Sequence, residues 1–274
     1  RFQMSVRSYK YGSAGEPPFP KQFEIIKNHV LQWTEVKTNH NKFYSIELHE
    51  ADVGGGAKQY RLFTHYGRTD DLASNPKAGR FETRHVPTIQ AAKAEYNRIY
   101  NEKVNKKGYK PVALASSNIG SDKLRGSQQS DAALPQDNIE SKLSPELQRL
   151  VNYLYDDAAS TLTSSVAASI TARGIETPLG VLTLTQVAKG ERLLDQIHQI
   201  LARGDSESQL DESRLEALSE QFYTVIPHKI GRSAAAMRAA IIKTPTQLEA
   251  KQELVQLMRD LVNVGSALGG GASS

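Results

Sequence analysis

Gln59-Tyr60-Arg61-Leu62-Phe63-Thr64 reads as a strand, and Tyr66-Gly67-Arg68 stands at its end, before a polar loop from Thr69 to Gly79. The three residues together suit a clamp for a nucleic-acid end. The tyrosine ring can stack on a base or sugar. Glycine lets the backbone come close, and the guanidinium can grip a phosphate or a partner carboxylate with two donors. An aromatic-Gly-Arg triplet arises by chance at many strand-turn junctions, so its meaning depends on what surrounds it.

Upstream, Leu31-Gln32-Trp33-Thr34-Glu35-Val36 and Lys42-Phe43-Tyr44-Ser45-Ile46-Glu47-Leu48-His49 alternate in polarity, which predicts strands with Tyr44, Ile46 and Leu48 on one face. Gly54-Gly55-Gly56 predicts the hairpin turn between the second of these and the strand bearing Tyr60. Downstream, Arg80 to Val86 predicts a further strand. Thr88 then caps a helix in which Ile89, Ala92, Tyr96, Ile99 and Tyr100 share a face. Lys103, Lys106 and Lys107 close that helix, and Gly108 and Pro111 terminate it. Residues 1–29 are poor in apolar side chains and predict a flexible lead-in. Residues 115–140, rich in Ser, Gly, Asp, Asn and Gln, predict a linker.

Everything from Ser141 onward reads as helix. Ser144-Pro145-Glu146 is a start signal, and Thr177-Pro178 and Thr244-Pro245 carry similar start or turn chemistry. Val187, Leu194, Ile197 and Leu201 make one stripe, and Leu215, Leu218 and Phe222 another. The last helix is apolar over most of its circumference, through Leu254, Val255, Leu257, Met258, Leu261 and Val262, as a central or covered helix would be. The expected fold class is thus multidomain, α+β then all-α: a small antiparallel-sheet module with one packed helix, followed by a helical bundle.

Charge divides the 274 residues in the same place. Residues 1–112 hold 19 Lys+Arg against 11 Asp+Glu, and residues 113–274 hold 15 against 19. A basic module joined to an acidic one suggests that only the first meets polyanions. No apolar run reaches the ~20 residues of a membrane-spanning helix. With no cysteine there is neither disulfide nor cysteine-ligated zinc, and the seven histidines show no metal-ligand spacing. The chain starts at Arg1 and ends on Gly269-Gly270-Gly271-Ala272-Ser273-Ser274, which is expected of a piece of a longer protein.

The two halves together resemble the middle of a DNA-damage-responsive poly(ADP-ribose) polymerase. Asn41-Lys42-Phe43-Tyr44-Ser45-Ile46-Glu47-Leu48 is similar to the opening strand of a WGR domain, whose Trp-Gly-Arg signature reads here Tyr66-Gly67-Arg68. Ser141-Lys142-Leu143, Pro178-Leu179-Gly180-Val181-Leu182 and Phe222-Tyr223-Thr224-Val225-Ile226-Pro227-His228 resemble the helical regulatory domain that precedes the transferase domain. The resemblance implies a WGR domain at 30–114, the linker at 115–140, a regulatory domain at 141–268 and a tether at 269–274. It implies DNA with strand breaks as partner and contacts from Asn41, Tyr66, Gly67, Arg68, Lys103, Lys106, Lys107 and Tyr109. On the last helix it implies a regulatory face toward a C-terminal ADP-ribosyltransferase domain, through Glu253, Val255, Met258 and Asp260, with Gln256 replacing a third acidic residue. No cofactor is expected in this chain; NAD+ is the substrate of the transferase domain. Nuclear residence follows in a eukaryote, cytoplasm or nucleoid otherwise. Two alternatives stay open: a stand-alone adaptor that docks on nucleic acid, and an interaction scaffold without DNA affinity.

Overall fold

The computed structural model of the chain describes residues 6–126, 169–171, 174–203 and 209–269. A six-stranded antiparallel sheet runs in the order β1-β5-β4-β3-β2-β6, built from β1 (Tyr9–Lys10), β2 (Glu24–Glu35), β3 (His40–Gly54), β4 (Ala57–Arg68), β5 (Arg80–Val86) and β6 (Lys110–Pro111). The β3-β4 hairpin turns on Gly54, Gly55 and Gly56 at φ of 89°, 61° and 78°, backbone that only glycine adopts without strain. Between β4 and β5 the short α1 (Thr69–Leu72) starts the polar loop. Over one face lies α2 (Ile89–Asn101), whose N-cap Thr88 accepts from the Ala91 N–H. Ala92, Tyr96 and Ile99 bury against Leu31, Tyr44, Ile46, Leu48 and Leu62, as the helical and strand periodicities require. The last turn of α2 widens into a π-turn over Glu102–Lys106.

Among the described residues, the remainder comprises a second sheet of order β7-β10-β9-β8 and five helices. Its strands are β7 (Leu114–Ser117), β8 (Ser169–Thr171), β9 (Gly174–Thr177) and β10 (Gly180–Leu182). The helices are α4 (Leu184–Ala202), α5 (Gln209–Val225), α6 (Ala234–Ala239) and α7 (Pro245–Gly269), and α3 (Asp122–Gly126) follows β7. Apart from the cluster under α2, a second cluster joins the halves: Val30, Phe43 and Leu72 of the sheet module pack with Leu194, Phe222, Ile226, Leu254 and Met258.

Four expectations need correction. Residues 6–29 are not a loose lead-in, because Tyr9 and Lys10 pair with Thr83 and Glu82 and β2 already begins at Glu24. Phe19 and Phe23 close over the Arg61 guanidinium at 4.3 and 5.1 Å, so a few aromatic residues tie down a stretch whose average composition is polar. The expected linker is docked through residue 126: β7 pairs with β10, and Ser116, Ser117 and Ser121 are buried. Its anchor is the fully buried Glu47 carboxylate, which accepts from the Ser121 N–H at 2.7 Å and the Ser121 hydroxyl at 2.5 Å. Residues 127–140 lie outside the described residues, as do Ser141-Lys142-Leu143 and Ser144-Pro145-Glu146. Further on, 169–171, 174–177 and 180–182 are strand, not helix. Gly180 makes the difference: at φ 136° a Cβ there would meet the Ser116 carbonyl oxygen at 2.1 Å, so bare backbone is required for β10 to lie against β7. The tether begins later too, since Gly269 still belongs to α7.

Candidate nucleic-acid interface

Strand register assembles the candidate grip. Trp33, Lys42 and Arg68 stand abreast across β2, β3 and β4, and Leu31, Tyr44, Tyr66 and Arg80 form the next row. Side chains directly opposite one another in antiparallel strands share a face, so both rows are on the α2 side, near the π-turn that ends the helix. Tyr66 is half-buried; its ring stacks on Tyr44 at 5.3 Å and its hydroxyl donates to Glu82 at 2.7 Å. Lys103 comes off the π-turn with its ammonium 4.5 Å from the Tyr44 ring centre, and burial lowers its pKa. Lys106 and Lys107 are exposed beside it. Tyr109 is buried edge-on to Tyr44 and near Trp33, which pushes its phenol up to about 12.

Two of the expected contacts serve the fold in this conformation. A Cβ on Gly67 would meet the Gly79 backbone at 3.0 Å and the Phe43 ring at 3.3 Å, so this glycine admits neighbouring protein. Asn41 is fully buried, not offered at the surface: its amide donates to Asp70 at 3.1 Å and to the His228 carbonyl at 3.0 Å.

Arg68 turns from the sheet toward the helical half. Its guanidinium donates to the Gly231 carbonyl at 2.8 Å and to Asn39, and its Nε lies 2.9 Å from the Asp70 carboxylate. Asp70 in turn accepts the N–H groups of Ile230 and Gly231 at 2.7 and 2.6 Å. Gln32, Thr34 and Thr69 complete a buried polar network around Asn41. Two more bonds cross the boundary, from the Thr34 N–H to the Thr224 hydroxyl and from the Val36 N–H to Glu220, whose pKa burial raises. The Asp70 carboxylate thus joins the 230–231 backbone, Asn41 and Arg68 in one buried network, the kind of arrangement by which polar groups hold two elements in one register. Asp70 was missed at the sequence level; the signal available was a short acidic side chain two residues past the guanidinium.

Of the expected regulatory residues, Val255 and Met258 are buried in the bundle core beside Leu254. Glu253 and Asp260 are exposed, and Asp260 accepts from Gln256 at 2.8 Å. Arg259 pairs with Glu191 of α4. On the opposite sheet face, the ring of His65 donates from Nε2 to the Ala78 carbonyl and accepts at Nδ1 from the Gly120 N–H. Burial pushes its pKa down to about 4 from 6.5. The fold therefore favours neutral imidazole, so this contribution is complete above pH ~6.5 and is lost as pH falls toward 4; the full shift corresponds to about 3 kcal/mol. Urea midpoints are expected to fall between pH 7 and pH 4.5, and to fall less in His65→Gln.

Comparison with known proteins places both halves. The WGR domain family matches residues 27–115, and the family described as "Poly(ADP-ribose) polymerase, regulatory domain" matches residues 141–273. Poly [ADP-ribose] polymerase 2 of Zea mays is 27% identical over 237 residues, covering 86% of this chain and 34% of the relative. Protein mono-ADP-ribosyltransferase PARP3 of Mus musculus is 26% identical over 250 residues, covering 85% of this chain and 42% of the relative. The chain thus spans well under half the length of either. With an antiparallel sheet module of the first kind packed onto a largely helical domain of the second, the chain belongs to the poly(ADP-ribose) polymerase family.

Proposed function

We propose that this chain is the DNA-break-sensing and autoinhibitory part of an ADP-ribosyltransferase. In this reading a DNA end is met by the sheet module, and the event loosens the helical domain that restrains a C-terminal transferase domain using NAD+. The observation that carries it is the placement of Arg68. Arg68 follows Tyr66 by two residues on the same strand, yet its guanidinium donates to Asn39 and Gly231 and pairs with Asp70, so one side chain belongs to both the candidate grip and the interdomain contact. A terminal phosphate competing for that guanidinium would weaken the hold on the 230–231 backbone. Only a few kcal/mol need separate the closed and loosened states for such a switch to work. The last helix fits the restraining role, with Val255 and Met258 setting its packing and Glu253 and Asp260 on its exposed side. Residence in the nucleus goes with this proposal for a eukaryotic source; among the described residues no helix is long and apolar enough to cross a membrane.

Fluorescence anisotropy with nicked and intact duplexes tests it. Nicked DNA is expected to bind more tightly. Its affinity should fall steeply between 50 and 200 mM salt, with a logarithmic slope of roughly −0.9 per phosphate neutralised. The Tyr66→Ala, Arg68→Ala double variant should lose roughly tenfold or more, on the scale of one stacked base and one charged contact. Equal and negligible binding of both duplexes would remove the proposal.

A further inference from the structure

Trp33 is the only tryptophan in the chain, and it stands on the same sheet face as Tyr66, abreast of Lys42. Its indole is half-buried and held from several sides. His40 lies 4.0 Å away centre to centre, tilted by 37°, Tyr109 lies at 5.5 Å, and the Lys42 ammonium sits 5.9 Å from the ring centre. Gly108, at φ 85°, presses its backbone against the pyrrole edge; a Cβ there would come within 3.0 Å of the indole nitrogen. The ring is thereby fixed in orientation, partly covered by His40 but still half exposed, and its N–H has no hydrogen-bond partner among the described residues. Around it lie cations from two places: Lys42 on β3, and Lys106 and Lys107 beside Gly108. None of the three has a carboxylate within ion-pair distance among the described residues.

Contrast Tyr66, the ring that the signature nominates. One face of it is taken by Tyr44 and its hydroxyl is tied to Glu82. Stacking on a nucleobase rewards a large π-face held rigid beforehand, and nearby unpaired ammonium groups supply the attraction to phosphate. Both properties converge on the indole more fully than on the phenol.

We infer that Trp33 is a second stacking platform of the candidate interface, taking an unpaired base or terminal sugar at a DNA end while Lys42, Lys106 and Lys107 hold the adjoining phosphates. This rests on the break-sensing proposal and adds to it the contact that the signature alone does not identify. It also answers how the site keeps a large stacking surface when the signature position holds tyrosine: the broad ring is supplied from the neighbouring strand.

Because the chain has one tryptophan, its emission reports on this residue alone. The full chain is titrated with a nicked duplex while intrinsic fluorescence and the anisotropy of labelled DNA are followed together. Quenching of the indole that saturates with the anisotropy is the expected result. Trp33→Phe, which keeps a π-face, should bind within a few-fold of the parent. Trp33→Leu, apolar but without one, should lose roughly tenfold, the scale of one stacked base. If DNA binds by anisotropy but emission is unchanged and Trp33→Leu binds like the parent, the assignment of Trp33 falls and break sensing stands. If neither nicked nor intact DNA binds, both fall.

Discussion

Asp70→Ala is expected to lower stability by about 3–5 kcal/mol, the usual result of removing one partner from a buried ion pair. The Asp70 side chain is 4% exposed; it accepts from three donors, the Ile230 and Gly231 N–H groups and the Asn41 amide, and is ion-paired with Arg68. Alanine leaves all four facing a void, two of them main-chain donors with nowhere to turn. Asparagine keeps an acceptor for the 230–231 backbone but gives up the charge that holds Arg68, so Asp70→Asn should lose less. Urea unfolding of the full chain measures both. An Asp70→Ala midpoint equal to that of the parent would show that the carboxylate does not hold the two halves together. The same variant bears on mechanism, because freeing Arg68 should strengthen DNA binding if phosphate and Asp70 compete for it.

The second large effect is expected from Phe43→Ala, at about 3–5 kcal/mol, the range for emptying a buried aromatic site. Phe43 is fully buried, lies edge-on to His65 at 4.9 Å, and belongs to the cluster shared with the helical half. Truncation therefore cuts contacts within the sheet module and across the boundary at once. Calorimetry should show one transition at a lower temperature, with Phe43→Leu between the two. A loss confined to a separate early transition would mean that the halves unfold independently.

How far the chain could be read in advance depended on whether a segment's signal was local. Strand alternation placed β3 and β4, and the Gly54-Gly55-Gly56 turn fixed their register, because hairpin pairing joins neighbours in sequence. Thr88 and the Ala92-Tyr96-Ile99 face placed α2 for the same reason. The docking of residues 114–126 was illegible, since it rests on Glu47, some 74 residues earlier in the chain than Ser121. Likewise Gln32, Thr34 and Asn41 look like the wet face of a strand and are dry only because α5 and the 228–231 segment cover them. At the candidate interface, aromatic and basic residues were visible by type. Which of them face out was not: Asn41 and Gly67 turned inward, whereas Trp33 looked like an ordinary strand residue until β2, β3 and the π-turn were set side by side.

The cluster that joins the halves has a bearing on how such proteins are taken apart. A polypeptide cut near residue 115 would strip the covering from Val30, Phe43 and Leu72 and from the polar side chains around Asn41. Bare apolar surface of that kind promotes self-association, and an amide network half deprived of acceptors draws in water. Affinities measured on the excised sheet would then describe a sticky, rehydrated object, and the grip of the intact chain has to be weighed with its neighbour attached.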